Sequence, residues 1–182
     1  MPGLDDAIKA ERKLAHGRLL QVMNDLVDGQ IQWRPGVHAP GIGFSLWHVS
    51  RWADFIRQNI GGGAQIWESE GLAAKWGFPP ERLGPNRTGT GMGDEASEAL
   101  VLPEKVALLD YATRAFTALD DYVDGLSDAD LLAAVPNPVS PQSGQTRTRA
   151  EVLLSYLAHD NRHLGMIELA RGLLQLKGSA TA

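Results

Sequence analysis

Thr148-Arg149-Ala150-Glu151-Val152-Leu153-Leu154-Ser155-Tyr156-Leu157-Ala158-His159-Asp160-Asn161-Arg162-His163 opens as a helix and stays one. Thr148 and Glu151, three residues apart, form a capping box in which each side chain satisfies a free amide of the other's turn. Beyond it Val152, Tyr156, His159, His163, Ile167, Ala170 and Leu174 recur in steps of three and four, which is one face of a helix. Two histidines four residues apart stand one turn above the other on that face, where two imidazoles can reach one metal ion. Asp160, Asn161 and Arg162 fall beside the stripe, and Asp160 is expected in solvent rather than as an acceptor orienting a histidine.

Three earlier segments repeat the helical pattern. Over 4–28, Leu4, Ile8, Leu14, Leu19, Val22, Met23 and Leu26 return at helical intervals between charged residues. His16 in this helix sits among polar neighbours and reads as a solvated surface histidine. A Gly- and Pro-rich connection over 29–43 holds Trp33, expected to fold back on the end of the helices, and His38, expected in solvent. The second helix covers 44–60, with Ser45 as a possible N-cap and Gly61-Gly62-Gly63 as its stop. Phe44, His48, Trp52, Phe55 and Asn59 share its face, so His48 replaces an apolar residue in the middle of a buried stripe. A backbone carbonyl bonded to its ring would satisfy such a histidine without any metal.

The excursion over 61–102 is too long for a plain connector. A short helix over 66–76 would cap an end of the fold with Trp67 and Trp76. Gly89-Thr90-Gly91-Met92-Gly93 has the look of a phosphate loop, but it follows no strand and lacks the Lys-Ser/Thr ending. A third helix begins near Pro103 and stops at Gly125, with Val106, Leu109, Phe116, Leu119 and Val123 as its stripe. Ser127 caps one further turn, and the segment 136–144, with three prolines, is a loop. No alternating strand pattern of useful length occurs. The expectation is an all-α protein: one domain over 1–182, a four-helix bundle with a long loop between helices two and three.

Composition narrows the function classes. The 182 residues contain no cysteine, which excludes disulfides, thiolate ligands and a protein-borne thiol nucleophile. A net charge of −5 argues against a general nucleic-acid surface. The first residues are charged and amphipathic, unlike a signal peptide, and no apolar run approaches the roughly 18–20 residues that span a bilayer. A cytoplasmic protein with no membrane partner is expected. Three stripe histidines on two helices suit a divalent transition metal such as Zn, Ni, Fe or Mn, and without further ligands the site is left open for chemistry.

The motifs Leu46-Trp47-His48-Val49-Ser50-Arg51-Trp52, Gln32-Trp33-Arg34-Pro35 and His159-Asp160-Asn161-Arg162-His163-Leu164-Gly165-Met166-Ile167 together resemble the DinB/YfiT superfamily over nearly the whole chain. The resemblance implies a bundle running up-down-down-up, frequent homodimers, and metal ligands at His48, His159 and His163. It also implies transferases and isomerases using low-molecular-weight thiols such as bacillithiol, mycothiol or glutathione. The mycothiol-dependent maleylpyruvate isomerases of that family carry Glu where this chain has His159, which weighs against that one activity.

The expected chemistry is therefore thiol S-transfer or thiol-dependent isomerisation, with a small-molecule electrophile as second partner. Arg51 and Arg162 flank the histidines, and each either meets acid groups of the thiol or forms an ion pair. Hydrolysis by metal-bound water is a second reading, weakened because Asp160-Asn161 stands where a His-Glu-x-x-His motif needs its glutamate. A metal-binding stress-response protein without turnover is the third. No catalytic residue beyond the ligands is assigned.

Overall fold

The capping box at Thr148 does what its chemistry predicts. Thr148 Oγ1 accepts from the Glu151 amide at 3.1 Å, and Glu151 returns a carboxylate to the Thr148 amide at 2.7 Å. The helix it starts, α9 (Arg149–Leu173), is the longest in the computed structural model, which describes residues 3–138 and 143–178. Three other long helices accompany it: α1 (Leu4–Gln21), α3 (Ile42–Asn59) and α7 (Lys105–Asp124). Between them lie the one-turn helices α2 (Asp28–Ile31), α4 (Ile66–Ser69), α5 (Leu72–Lys75), α6 (Asp94–Glu98) and α8 (Asp128–Leu132).

Both α1 and α3 pack on α7 and α9. Side-chain pairings give the directions. Arg12 and Lys13 of α1 meet Asp120 and Asp124 of α7, with Lys9 on the Leu126 carbonyl, so these helices are antiparallel. Arg12 lies over Tyr156 and Arg171 reaches the Val22 carbonyl, so α1 and α9 are parallel. Tyr156 bonds the Val49 carbonyl while Arg149 bonds that of Ile60, making α3 antiparallel to α9. The four long helices thus run up, down, down and up.

Several boundaries differ from those expected. α1 stops at Gln21, because the amides of Met23, Asn24 and Leu26 bond three residues back and turn Val22, Met23 and Leu26 inward. The N-cap of α3 is Gly41, whose carbonyl takes the Ser45 amide, so Ser45 is a buried first-turn residue. Phe116, Leu119 and Val123 of α7 are buried as expected, but Val106 is exposed and Leu109 half-buried, and Leu108, Tyr111 and Ala115 complete the stripe instead. Strands β1 (Ala134–Pro136) and β2 (Thr146–Thr148) pair antiparallel, three residues each and too short to show alternation. The centre of the loop expected over 136–144 lies outside the described residues. No helix among those described is long and apolar enough to cross a membrane.

Candidate metal centre

His48 enters from the middle of α3, and His159 and His163 from consecutive turns of α9. Their ring centroids lie 4.9, 4.7 and 4.6 Å apart, a nearly equilateral triangle. One ligand atom from each lies within 4.8 Å of the others. His48 Nδ1 is 2.6 Å from the carbonyl of Thr88 and can only donate to it. That bond places the proton on Nδ1 and leaves Nε2 as a lone pair, 3.1 Å from His159 Nε2.

The donor set fits a divalent cation. Metal–imidazole bonds of about 2.0–2.1 Å place adjacent ligand nitrogens about 3.0–3.4 Å apart, which brackets the 3.1 Å between His48 Nε2 and His159 Nε2, and the third ligand atom lies within 4.8 Å of both. The rings are also kept neutral. Burial, opposed by the Thr88 hydrogen bond and assisted by the Arg162 charge, pushes His48 down to about 4. Burial, the other histidines and Arg162 push His159 to about 3 and His163 to about 2. Three lone pairs are therefore available at neutral pH. The Nδ1 atoms of His159 and His163 are buried without a hydrogen-bond partner among the described residues, whereas His48 is oriented from behind by Thr88.

Thr88 immediately precedes the glycine-rich stretch over 89–93, whose look is that of a phosphate loop. Its function here is mechanical. Trp52 Nε1 donates to Thr90 Oγ1 at 3.0 Å, Gly89 donates its amide to the Leu83 carbonyl at 2.8 Å, and Arg51 Nε donates to the Arg87 carbonyl at 3.1 Å. The segment is thereby tied, on both sides of Thr88, to the turn of α3 that follows His48. Gly89 has φ +90°, and a Cβ there would stand 2.7 Å from Trp47 Cζ3 and 3.1 Å from His48 Nδ1. Gly89→Ala is expected to push Thr88 off the imidazole and weaken metal binding by about 10–100-fold, as measured by competition with a chromogenic chelator. Unchanged affinity would show that the Thr88 bond does not orient His48.

Arg51 does not meet the ligand site. It is fully buried, with Nη2 on Gln65 Oε1 at 2.8 Å and Nη1 on the Tyr111 hydroxyl at 3.2 Å and on Asp54 at 3.4 Å. All its nitrogens are engaged, and its guanidinium lies over Trp67, so its place is in the core. Arg162 is exposed and lines the cavity in front of the histidines. That cavity holds about 450 Å³, in the range of small-molecule sites. Phe44, Trp52, Ile56 and Val152 give it apolar walls, Arg147 and Arg162 bring charge, and no carboxylate lines it among the described residues.

Two expectations of exposure fail. Asp160 is completely buried, and His16 is 3% exposed. His16 Nδ1 pairs with Asp120 at 2.8 Å, its Nε2 stands 3.5 Å from Asp160, and its ring stacks on Phe116. Burial works against a proton on His16, but the hydrogen bond to Asp120 and the nearby Asp160 carboxylate outweigh it and raise the ring's pKa above its ordinary value. This cluster faces α1 and α7, away from the three-histidine triangle. His38 is exposed as expected, paired with Asp94.

Residues 13–167 match the family model of the DinB superfamily. Among solved structures, a conserved protein from Enterococcus faecalis superposes with a TM-score of 0.77 at 17% sequence identity, over 94% of this chain and 96% of its own. That likeness establishes the shared fold. No curated protein matches the chain.

Proposed function

The chain belongs to the DinB superfamily, and on that premise we propose that it is a metal-dependent enzyme acting on a low-molecular-weight thiol. His48, His159 and His163 hold a divalent transition metal ion, Zn, Ni, Fe or Mn. One observation carries the reading: three neutral imidazoles converge at a cavity of about 450 Å³ whose described lining offers neither a thiol nor a carboxylate. A divalent cation there supplies the charge that lets a coordinated thiol lose its proton at neutral pH.

The residues of the chain do the rest. His48, fixed by Thr88, sets the direction of approach, and burial keeps all three ligands deprotonated. Phe44, Trp52 and Ile56 exclude water from the inner wall. The thiol sulfur then forms a bond to an electrophilic carbon, whose leaving group departs with its electron pair, and the thiol proton passes to solvent. Isomerisation by reversible thiol addition uses the same groups. No carboxylate lines the cavity among the described residues, and a thiol, which before binding is far more acidic than water, depends less on such a base.

Loading the protein with Co²⁺ or Ni²⁺ and titrating glutathione, bacillithiol and mycothiol tests this. A sulfur-to-metal charge-transfer band with one of them is expected. Failure of all three to perturb the metal spectrum overturns the thiol assignment, and turnover of a labile ester without thiol reassigns the site to hydrolysis.

A further inference from the structure

We propose that the outer half of the cavity is an acid-recognition subsite built from Arg147 and Arg162, and that the ligand is a small organic acid with an apolar body. This rests on the reading above and deepens it, since the same ligand's other end faces the three histidines. Arg162 precedes His163 on α9, lines the cavity and forms no ion pair among the described residues.

Arg147 comes from β2, a different element, and lines the same cavity. Its Nη2 donates to the Glu151 carbonyl at 2.8 Å and to Ser155 Oγ at 3.3 Å, with Nη1 3.4 Å from the same hydroxyl. Those acceptors are neutral, so they hold the guanidinium in place without cancelling its charge. The Glu151 carboxylate bonds Thr148 and also feels the Arg147 charge, so it offsets part of that charge from outside the cavity. Among the described residues no carboxylate lines the cavity, so the two arginines set a local field there that attracts anions. A guanidinium presents a planar fork of donors suited to carboxylate or phosphate. The apolar part of the lining, Phe44, Trp52, Ile56 and Val152, suits an apolar body.

Calorimetric titration with phenylacetate, phenyl phosphate and the neutral isostere phenylacetamide tests the subsite, on chelator-stripped protein and on the Zn²⁺-loaded form. Both forms should prefer an acid over the amide by about tenfold or more. Which acid binds better identifies carboxylate or phosphate as the natural group. Arg162→Met should weaken acid binding by about 10–100-fold and leave the amide unchanged, and Arg162→Glu should reverse the preference. Arg162 has no hydrogen-bond or ion-pair partner to lose among the described residues, so it carries the test even if Arg147→Met loosens the join between β2 and α9. Equal binding of acid and amide by the parent protein, no detectable binding of either acid, or a preference that survives the double Arg147→Met/Arg162→Met change would overturn the proposal. An acid preference in a protein that takes up no Zn²⁺ would sink the metal reading and leave this one standing; Zn²⁺ uptake without the preference would do the reverse.

Discussion

Protein carrying His163→Ala is expected to lose its divalent metal, with affinity down by more than about a hundredfold. Loss of a partner behind a ligand already costs about 10–100-fold, and removal of one ligand of three must exceed it. His38→Ala serves as the control, because His38 is exposed and paired with Asp94 outside the triangle. Metal content by elemental analysis should be near one ion per chain in the parent and His38→Ala, and near zero in His163→Ala. Stoichiometric metal in all three would place the ion elsewhere.

Acid provides an independent reading of the same cluster in metal-stripped protein. In the unfolded chain a histidine takes up its proton near 6.5, whereas in the fold burial and the neighbouring charges hold His48 down to about 4. Between those values the unfolded state binds the extra proton, so stability is present above 6.5 and is lost as the pH falls toward 4. For His48, the most enclosed of the three, the slope approaches about 1.4 kcal/mol per pH unit. His163, pushed to about 2, adds to it in the same direction. Stripped His163→Ala should therefore lose less stability between pH 6.5 and 4 than stripped parent, in urea titrations across that window. Identical slopes would mean that His163 is protonated in the fold as readily as in the unfolded chain.

What the sequence made legible follows from how many neighbours each helix has. His159 and His163 stood out because they share the α9 face that meets α3, and His48 because it interrupts an apolar stripe. Asp160 and His16 were misread for one reason. α9 touches α1 as well as α3, so its buried arc is wider than the stripe, and Asp160 occupies the second part of it. A polar residue there looks exposed until its partners are known, and those partners, His16, Asp120 and Arg12, lie on other helices. Long-range polar pairing leaves no periodic trace. The segment around Thr88 was hidden differently: a glycine run records that the backbone comes close to something, here Trp47 and His48, without naming it.

The buried charge cluster that went unseen carries the largest expected effect on stability. Arg12, with its side chain 1% exposed, places Nη2 3.3 Å from Asp120 Oδ1, and Asp120 also holds His16. Beyond His16 stands Asp160, fully buried, its pKa raised by burial against the pull of His16 and Arg12. Arg12 is the one permanent cation among two carboxylates and an imidazole. Arg12→Met fills much of the same space but leaves Asp120 facing His16 alone, and breaking a buried pair from one side costs about 3–5 kcal/mol. For a chain of this size that lowers the melting temperature by about 10 °C or more. Lys13→Met, which removes the exposed pair with Asp124 one residue along the same helix, should cost no more than about 1 kcal/mol. Adding Asp120→Asn to Arg12→Met should recover part of the loss, because the penalty comes from the stranded carboxylate and not from the missing attraction. Metal content should not change in any of these variants, since the cluster lies on the α1 side of α9 and the histidines on the α3 side. A loss below about 1 kcal/mol for Arg12→Met would show that water already solvates this cluster as a surface pair is solvated.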